Sequence, residues 1–534
     1  MNLIFSALFD RCEYGILFVK QDGVIKQKNM RFATILFLLL HSLVCIAQDT
    51  ILLTYEQAVR IALNESYTIK SHMENKSAMQ NYFMYHKAQF KPRLDFNLFA
   101  PSWNESVTQI NRPDNLPVFN STGSLRAGGD LSFTYILPTG GNLALHSIIF
   151  QEQLTMTLAD QGYNKLTANQ AYTKIGISFN QPVFTKNTLR ENLKEAEYWY
   201  QRSSNYYTRG QMDIVFNVTN GFYTLYRATR EVEINKEKLA NSVEAFRIAK
   251  LKLSAKRIAE GEVLIAEVQL EQDKARLFES VSNREREKDV FKQLIGLDIE
   301  QEIEILTTMH YEPFAIDLEF AVEQALHNRL EIEDAELYTK LQKIDVDRAR
   351  RERELKGNIS AYYDITGLGM MDAANTGELF DRSFNNLTER PPNRGIVFTL
   401  SYPIYDWGRG RAKVQQARAE LRDAQLAKED IRATVKREVR DIVRTVKESN
   451  ERLNIHEKNQ ELALRSYHIS RLRFENGDIT SQELGKEQER LSEVQLAYLN
   501  AYITYQLAVA DLKRKTMWDF GERKSYIMEV NNEQ

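Results

Sequence analysis

The longest helical pattern in the chain runs from Arg411 to Asn476, a tract with neither proline nor glycine. Proline breaks helix interiors and glycine weakens them, so nothing in this tract opposes a single helix. At about 1.5 Å rise per residue it would be on the order of 100 Å long, which no ordinary globular domain needs. Apolar residues recur at alternating steps of three and four, as in a coiled-coil seam: Val414, Ala417, Leu421, Ala424, Ile431, Val435, Val439, Ile442 and Val446.

A second tract of similar composition begins near residue 187, and no proline falls between Pro182 and Pro313. Each tract meets a short glycine-containing break and then resumes as a second helix. We therefore predict two helical hairpins, one over about 187–295 with its tip near Gly261 and one over about 408–516 with its tip near Gly477.

Period-two alternation predicts four clear strands, at about 93–100, 175–184, 358–365 and 397–405. In the last of these, Phe398 and Leu400 share one face and Thr399 lies on the other. Strands with one apolar and one polar face suit a wall between lipid and a wet lumen. A further hairpin, at about 131–150, is present only in the first half of the chain. It is either an extracellular flap or two more strands, so the strand count stays open.

Residues 30–47 are interpreted as a secretory signal peptide, because Met30 and Arg31 precede a short apolar run and Ala47 offers a cleavage point. Residues 1–29 are interpreted as an upstream extension. The alternative is a cytoplasmic tail on an uncleaved anchor. Cys12 and Cys45 are the only cysteines, and both precede the cleavage point, so no disulfide is expected in the exported chain. A lipid anchor on Cys45 is disfavoured by the branched Val44 before it.

The chain carries a formal net charge of -3, which gives no basic footprint for nucleic acid. It contains no nucleophile elbow, no His-Glu-x-x-His helix and no phosphate-binding loop, and its histidines are scattered. We therefore expect no catalytic residue, no cofactor, no metal site and no nucleic-acid partner.

Two segments, residues 53–64 and 318–328, share an Ala-Val-x-x-Ala-Leu core, and each leads through a helix into a predicted strand and a long hairpin. Together with the segment Tyr402–Arg411 and the two glycine-tipped hairpins, this order resembles the TolC family of outer-membrane channels. The resemblance extends over about residues 50–517. It divides the chain into a first repeat, 48–316, and a second repeat, 317–517, followed by a C-terminal tail, 518–534.

The resemblance implies a mainly α fold with membrane β structure, in which a trimeric β-barrel stands on a long periplasmic α-barrel. It implies a homotrimer of twelve strands in the outer membrane, extending into the periplasm and in contact with outer-membrane lipid. As a member of this family the chain would be a passive exit duct of a tripartite efflux or type I secretion system, engaged by a periplasmic adaptor protein and an inner-membrane pump. The strands give an independent reason for assembly, because a four-stranded sheet in lipid leaves two edges without hydrogen-bond partners.

The resemblance also assigns roles to individual positions. The hairpin tips would bind the adaptor, and Glu267 and Glu483 would line the periplasmic aperture, where a ring of carboxylates favours cations. Trp407, Arg409 and Arg411 would lie at the membrane interface. The alternatives are a plain turn, a solvated helix face and an ordinary helix start, respectively. The tip residues are Arg257, Gly261, Glu262, Val263, Arg473, Gly477, Asp478 and Ile479.

A competing hypothesis is a periplasmic coiled-coil scaffold or adaptor without a pore. Adaptors of pumps have one helical hairpin flanked by mixed strands, whereas this chain has two hairpins interleaved with strands of the lipid-facing type. A secreted enzyme or lectin is a third possibility, but it requires a concave polar site that the sequence does not reveal.

Overall fold

A computed structural model describes residues 51–111, 117–158, 162–306, 315–370 and 375–526. The predicted signal peptide and the extension before it lie outside the described residues. The chain divides into two compact units. The described part of the smaller unit comprises residues 51–54 and 298–306, in which strand β1 (Ile51–Leu53) pairs in parallel with β6 (Ile303–Ile305). All other described residues belong to the larger unit.

Long helices dominate the larger unit. Its helices are α1 (Tyr55–Glu65), α2 (Tyr67–Ala88), α3 (Thr188–Ser254), α4 (Glu260–Ile295), α5 (Leu318–Asn328), α6 (Leu330–Arg351), α7 (Thr376–Asn385), α8 (Arg409–Asn476) and α9 (Ser481–Thr516). Helix α8 has 68 residues and α3 has 67, so each is about 100 Å long at about 1.5 Å per residue. Helix α4 packs along α3, and α9 packs along α8. The seam predicted in α8 is largely buried, including Val414, Val435 and Val446.

Six strands form one antiparallel sheet in the order β2-β3-β4-β5-β7-β8. They are β2 (Arg93–Ile110), β3 (Val118–Ile136), β4 (Asn142–Thr157), β5 (Lys165–Val183), β7 (Lys356–Gly369) and β8 (Asn393–Ser401). A short antiparallel pair, β9 (Trp518–Asp519) and β10 (Lys524–Ser525), follows α9.

Of the two alternatives for the extra hairpin, the structure shows two more strands, because β3 and β4 lie within the sheet beside the four strands that the sequence predicted. Glycine-rich β3 and the mixed face of β4 weaken the period-two signal, so the prediction covered only the end of β3 and the beginning of β4, next to the turn that joins them. The last strand also differs, since β8 ends at Ser401 and not at residue 405. Pro403 has no backbone N–H to extend the ladder.

Near the long helices, the two faces of the sheet differ in polarity. The register places Phe96 opposite Leu131 and Leu145 opposite Ile177, so these side chains share one face. Asn97 opposite Asp130 and Ser132 opposite His146 lie on the other. The first face carries a band of exposed apolar side chains: Leu94, Phe96, Leu98, Leu131, Phe133, Leu145, Ile177, Ile396, Phe398 and Leu400. A band of this size needs an apolar medium or partner to cover it.

Helix α7 lies on the face of β5 and β7 that carries Ile177, against the last residues of β7 and the middle of β5. A Cβ atom on Gly367 would lie 1.6 Å from the carbonyl oxygen of Ser383, and one on Gly369 would lie 2.0 Å from that of Leu379. The hydroxyls of Thr173 and Ser383 are 2.7 Å apart. Because Gly367 and Gly369 have no side chains, the backbone of α7 can approach the sheet this closely. We call the space above these two residues the glycine notch.

Candidate functional site

The first hairpin tip turns at Lys256, not at Gly261. Lys256 has φ 57°, its N–H donates to the carbonyl of Leu253, and the N–H of Arg257 donates to that of Lys252. This is the Schellman arrangement, with lysine at the left-handed position that glycine usually occupies. Gly261 instead lies in the first turn of α4, with open space around the place of its missing side chain.

The second tip turns at Gly477, as the sequence predicted. Gly477 has φ 92°, and the N–H of Asp478 donates to the carbonyl of Arg473 at 2.9 Å. Helix α9 then begins with a capping box. The Glu483 N–H donates to the Thr480 hydroxyl at 3.2 Å, and the Thr480 N–H donates to the Glu483 carboxylate at 2.8 Å.

The structure brings the two tips together. The backbone N–H of Ser481, in the first turn of α9, donates to the Glu262 carboxylate at 3.0 Å. The Lys252 ammonium donates to the carbonyl oxygen of Phe474 and lies 4.2 Å from the centroid of its ring. Residues far apart in sequence thus form one surface at the end of both hairpins.

The predicted docking residues fall into two groups. Val263 is buried against Ala249 and Ala266, and Ile479 packs against a second cluster that contains Phe474, so neither presents a free side chain. The exposed members are Arg257, Gly261, Arg473, Gly477 and Asp478, and half-buried Glu262 is engaged by the Ser481 N–H. Sequence reasoning missed three exposed apolar side chains beside them, Leu264, Ile265 and Val268 on α4.

The two predicted aperture acids differ in their surroundings. The Glu483 carboxylate accepts hydrogen bonds from the backbone N–H and the hydroxyl of Thr480, and these bonds lower its pKa. Glu267 is exposed on α4, four residues beyond buried Val263. The structure thus gives Glu483 a local role in helix capping, whereas Glu267 extends from the helix surface.

Sequence analysis missed a buried ionic cluster between the two hairpins. The Lys238 ammonium lies 3.4 Å from the Asp273 carboxylate and also donates to Glu489. The Ser242 hydroxyl donates to Asp273 at 2.5 Å, and the Gln488 amide donates to the Lys238 carbonyl at 2.6 Å. Burial opposes ionisation of Glu489, but bonds from Lys238 and Arg276 outweigh it and lower the pKa. The sequence signal that could have revealed this cluster is the presence of charged residues at positions on the buried faces of α3 and α4.

The passage from β8 to α8 contains the predicted interface residues. Trp407 is 88% exposed and has φ 55°, and its ring lies 4.9 Å from that of Tyr405. Arg409 and Arg411 are exposed in the first turn of α8. Sequence reasoning assigned no role to Asp406, whose carboxylate accepts hydrogen bonds from the N–H groups of Gly408 at 3.0 Å and Gly410 at 2.8 Å. Asp406 therefore caps the N-terminus of α8.

Within the described ranges, no group of three or more His, Cys, Asp and Glu side chains has a geometry that would hold a metal ion. No described helix combines the length and apolar character that a membrane-spanning helix requires.

Comparisons with known proteins agree with this architecture. Residues 321–516 match the outer membrane efflux protein family. The fold is similar to the CmeC outer membrane channel of Campylobacter jejuni, with a TM-score of 0.65, 15% identity and coverage of 90% of this chain and 89% of that one. It also resembles VceC of Vibrio cholerae, with a TM-score of 0.62, 14% identity and coverage of 86% and 95%. It is also similar to the open state of the MtrE channel of Neisseria gonorrhoeae, with a TM-score of 0.59, 14% identity and coverage of 86% of this chain and 88% of that one. No curated protein matches by sequence.

Proposed function

Because residues 321–516 belong to the outer membrane efflux protein family and the chain has the fold of TolC-type channels, we propose that this protein is an outer-membrane exit duct. It carries solutes passively from the periplasm to the exterior and performs no catalysis. An inner-membrane pump and a periplasmic adaptor protein engage its periplasmic end. The family match over residues 321–516 and the fold support this proposal, and the tripartite role is our inference.

The observation that carries the proposal is a sheet with an exposed apolar face and two open edges. Within the described residues, β2 and β8 have no strand beyond them. In a bilayer each unpaired backbone group costs several kcal/mol, so an open sheet does not persist there. Joining β8 of one copy to β2 of the next closes the sheet and places the apolar band against lipid. A soluble scaffold would leave this band in water.

The long helices offer a matching surface for a second copy. Phe278 on α4 is 78% exposed, although Phe is among the most buried residue types. Helix α8 exposes Ile455, Leu462 and Ile469, which recur every seven residues along one stripe. Covering such side chains contributes about 1.5–3 kcal/mol each. We infer that α4 of one copy packs against α8 of its neighbour in a homotrimer.

Adaptor docking is assigned to the exposed tip residues around Gly261 and Gly477. Gly261 provides the sharper test, because a side chain added there meets open space and does not strain the helix. Gly477 lies at φ 92°, so any replacement would also disturb the turn. We expect Gly261→Trp to reduce adaptor-dependent export at least about tenfold, the effect of losing about 1.4 kcal/mol of binding.

The matched control is Gly261→Ala, which adds one methyl group at the same position and should leave export unchanged. Trimer content is measured in both variants by gel filtration with light scattering. Unchanged export by Gly261→Trp trimers would refute docking at the tip and leave the duct itself intact. Recovery of the unmodified protein as a soluble periplasmic monomer would refute the duct.

A further inference from the structure

The hairpin β3–β4 lies inside the sheet, between β2 and β5, and not at an edge. Pairing of β3 with β4 runs without interruption from Ser121 and Thr157 to Ile136 and Asn142. Pairing of β4 with β5 is equally continuous. Removal of the hairpin would therefore leave a gap in the sheet.

Side chains on the polar face connect the hairpin to its neighbours. The Arg126 guanidinium donates to the Glu152 carboxylate at 2.8 Å, from β3 to β4. The rings of Phe150 and Tyr172 stack at 4.6 Å, from β4 to β5. A Cβ on Gly176 would lie 2.4 Å from Nε2 of His146, so β5 leaves room for the β4 side chain. The hairpin is thus fitted into the wall on this face.

The apolar face of the hairpin continues the same band. Leu131 and Phe133 on β3 and Leu145 on β4 are exposed on the side that also carries Phe96 and Ile177. A flap folded into a wet lumen would not need two faces of opposite polarity in register with the neighbouring strands. This pattern is that of strands that face lipid on one side and water on the other.

We propose that β3 and β4 are permanent strands of the membrane wall, so that the assembled barrel has eighteen strands. The inference rests on the trimer proposed above, since three copies of a six-stranded sheet give that number. Barrel diameter grows in proportion to strand number. With strands about 4.8 Å apart and tilted by about 40°, eighteen give a backbone diameter of about 36 Å and twelve about 24 Å.

The wider barrel also fits the helices beneath it. Three copies of α3, α4, α8 and α9 form a ring of twelve helices, about 120 Å around at a helix spacing of about 10 Å. The circumference of the eighteen-stranded barrel is about 113 Å, whereas that of a twelve-stranded barrel is about 75 Å. The duct therefore enters the membrane without narrowing. Its exit takes bulky solutes, such as polymers or small folded polypeptides, as well as compact molecules.

Distances between spin labels measure the barrel directly. Ile396 on β8 is 81% exposed on the apolar face, and Cys12 and Cys45 are the only native cysteines to replace by serine. Equivalent points in a three-fold ring are separated by the radius times the square root of three. Backbone separations are then about 31 Å for eighteen strands and about 21 Å for twelve. Labels at Ile396→Cys in membrane-reconstituted trimers should give the longer distance, after a common correction for the label.

A second variant tests the position of β4 independently. Leu145 and Ile177 lie opposite each other, so Leu145→Cys with Ile177→Cys should form an intramolecular disulfide in assembled trimers. Trimers with the shorter label distance and no such disulfide would overturn the wide barrel and leave the duct standing. Failure to obtain membrane trimers would instead overturn the proposed function, and this inference with it.

Discussion

Lys238 and Asp273 face each other at 3.4 Å between α3 and α4, and both side chains are almost fully buried, at 3% and 0% exposure. Glu489 of α9 completes the cluster, so one lysine connects three long helices. A buried charge that loses its partner is costly, whereas surface pairs contribute little. The two hairpins of the chain are therefore fixed to each other at this level.

Lys238→Met should lower the free energy of unfolding by about 3–5 kcal/mol, because Asp273 would remain buried without its cation. Urea unfolding in detergent, followed by circular dichroism, measures this loss. Lys274→Met is the matched control, since Lys274 forms an exposed pair with Glu271 at 2.7 Å on α4 alone. It should change stability by less than about 1 kcal/mol. Equal effects of the two variants would remove any special role for Lys238.

Glu483 should make the first turn of α9 sensitive to acid. Hydrogen bonds from Thr480 hold the pKa of this carboxyl below its ordinary value of 4.5. For a lowered pKa, the stabilisation is fully present above the ordinary value and is lost as pH falls through the folded value. Amide exchange at residues 481–484, corrected for the intrinsic pH dependence, should therefore accelerate below about pH 4.5.

The control for this prediction is Glu483→Gln, which keeps an acceptor for the Thr480 N–H but cannot titrate. Its exchange should show no acid-dependent step. Thr480→Ala should loosen the same turn by about 1 kcal/mol at every pH, because the hydroxyl cap is lost. An identical acid step in the glutamine variant would show that another group is responsible.

The long elements of this fold were predictable because their signal is local. Helix α8 follows from its seam and from the absence of Pro and Gly, and the turn at Gly477 follows from the glycine. The turn at Lys256 was not predicted, because Gly261 was the stronger local signal for a turn. The position of β4 within the sheet depends on its pairing with β3 and β5. Likewise, the partner of Lys238 on α9 lies 251 residues away. Such non-local relationships leave no pattern within one segment.

Glu267 should contribute more to the ion preference of the aperture than Glu483. Its carboxylate is on the exposed surface of α4, while that of Glu483 is held by Thr480. Glu267→Gln removes one charge per subunit and should reduce the cation-to-anion permeability ratio about twofold. Reversal potentials of reconstituted trimers in a salt gradient measure the ratio. Glu271→Gln, one turn further along α4, is the control. A larger effect from Glu483→Gln would contradict this assignment.

Helix α7 should be released when its glycine notch is filled. Gly367→Val would place side-chain atoms where the Ser383 carbonyl lies, and overpacking of this kind costs about 1–3 kcal/mol. Trypsin cleavage after Arg382 in folded trimers should therefore become about tenfold faster. Gly123→Ala is the control, because a Cβ there makes only an ordinary contact of 3.7 Å with Thr155. Equal cleavage rates in both variants would show that α7 does not depend on the notch.

The most direct test of the membrane duct is a cross-link between the two open edges of the sheet. Phe96 on β2 and Phe398 on β8 both lie on the exposed apolar face. Cysteine at position 96 is combined in turn with cysteine at 396, 398 or 400, with the native cysteines replaced by serine. Oxidation in outer-membrane preparations should convert at least one pair into covalent dimers and trimers. Failure of every pair to join separate chains, with the protein remaining monomeric, would contradict closure of the sheet between copies.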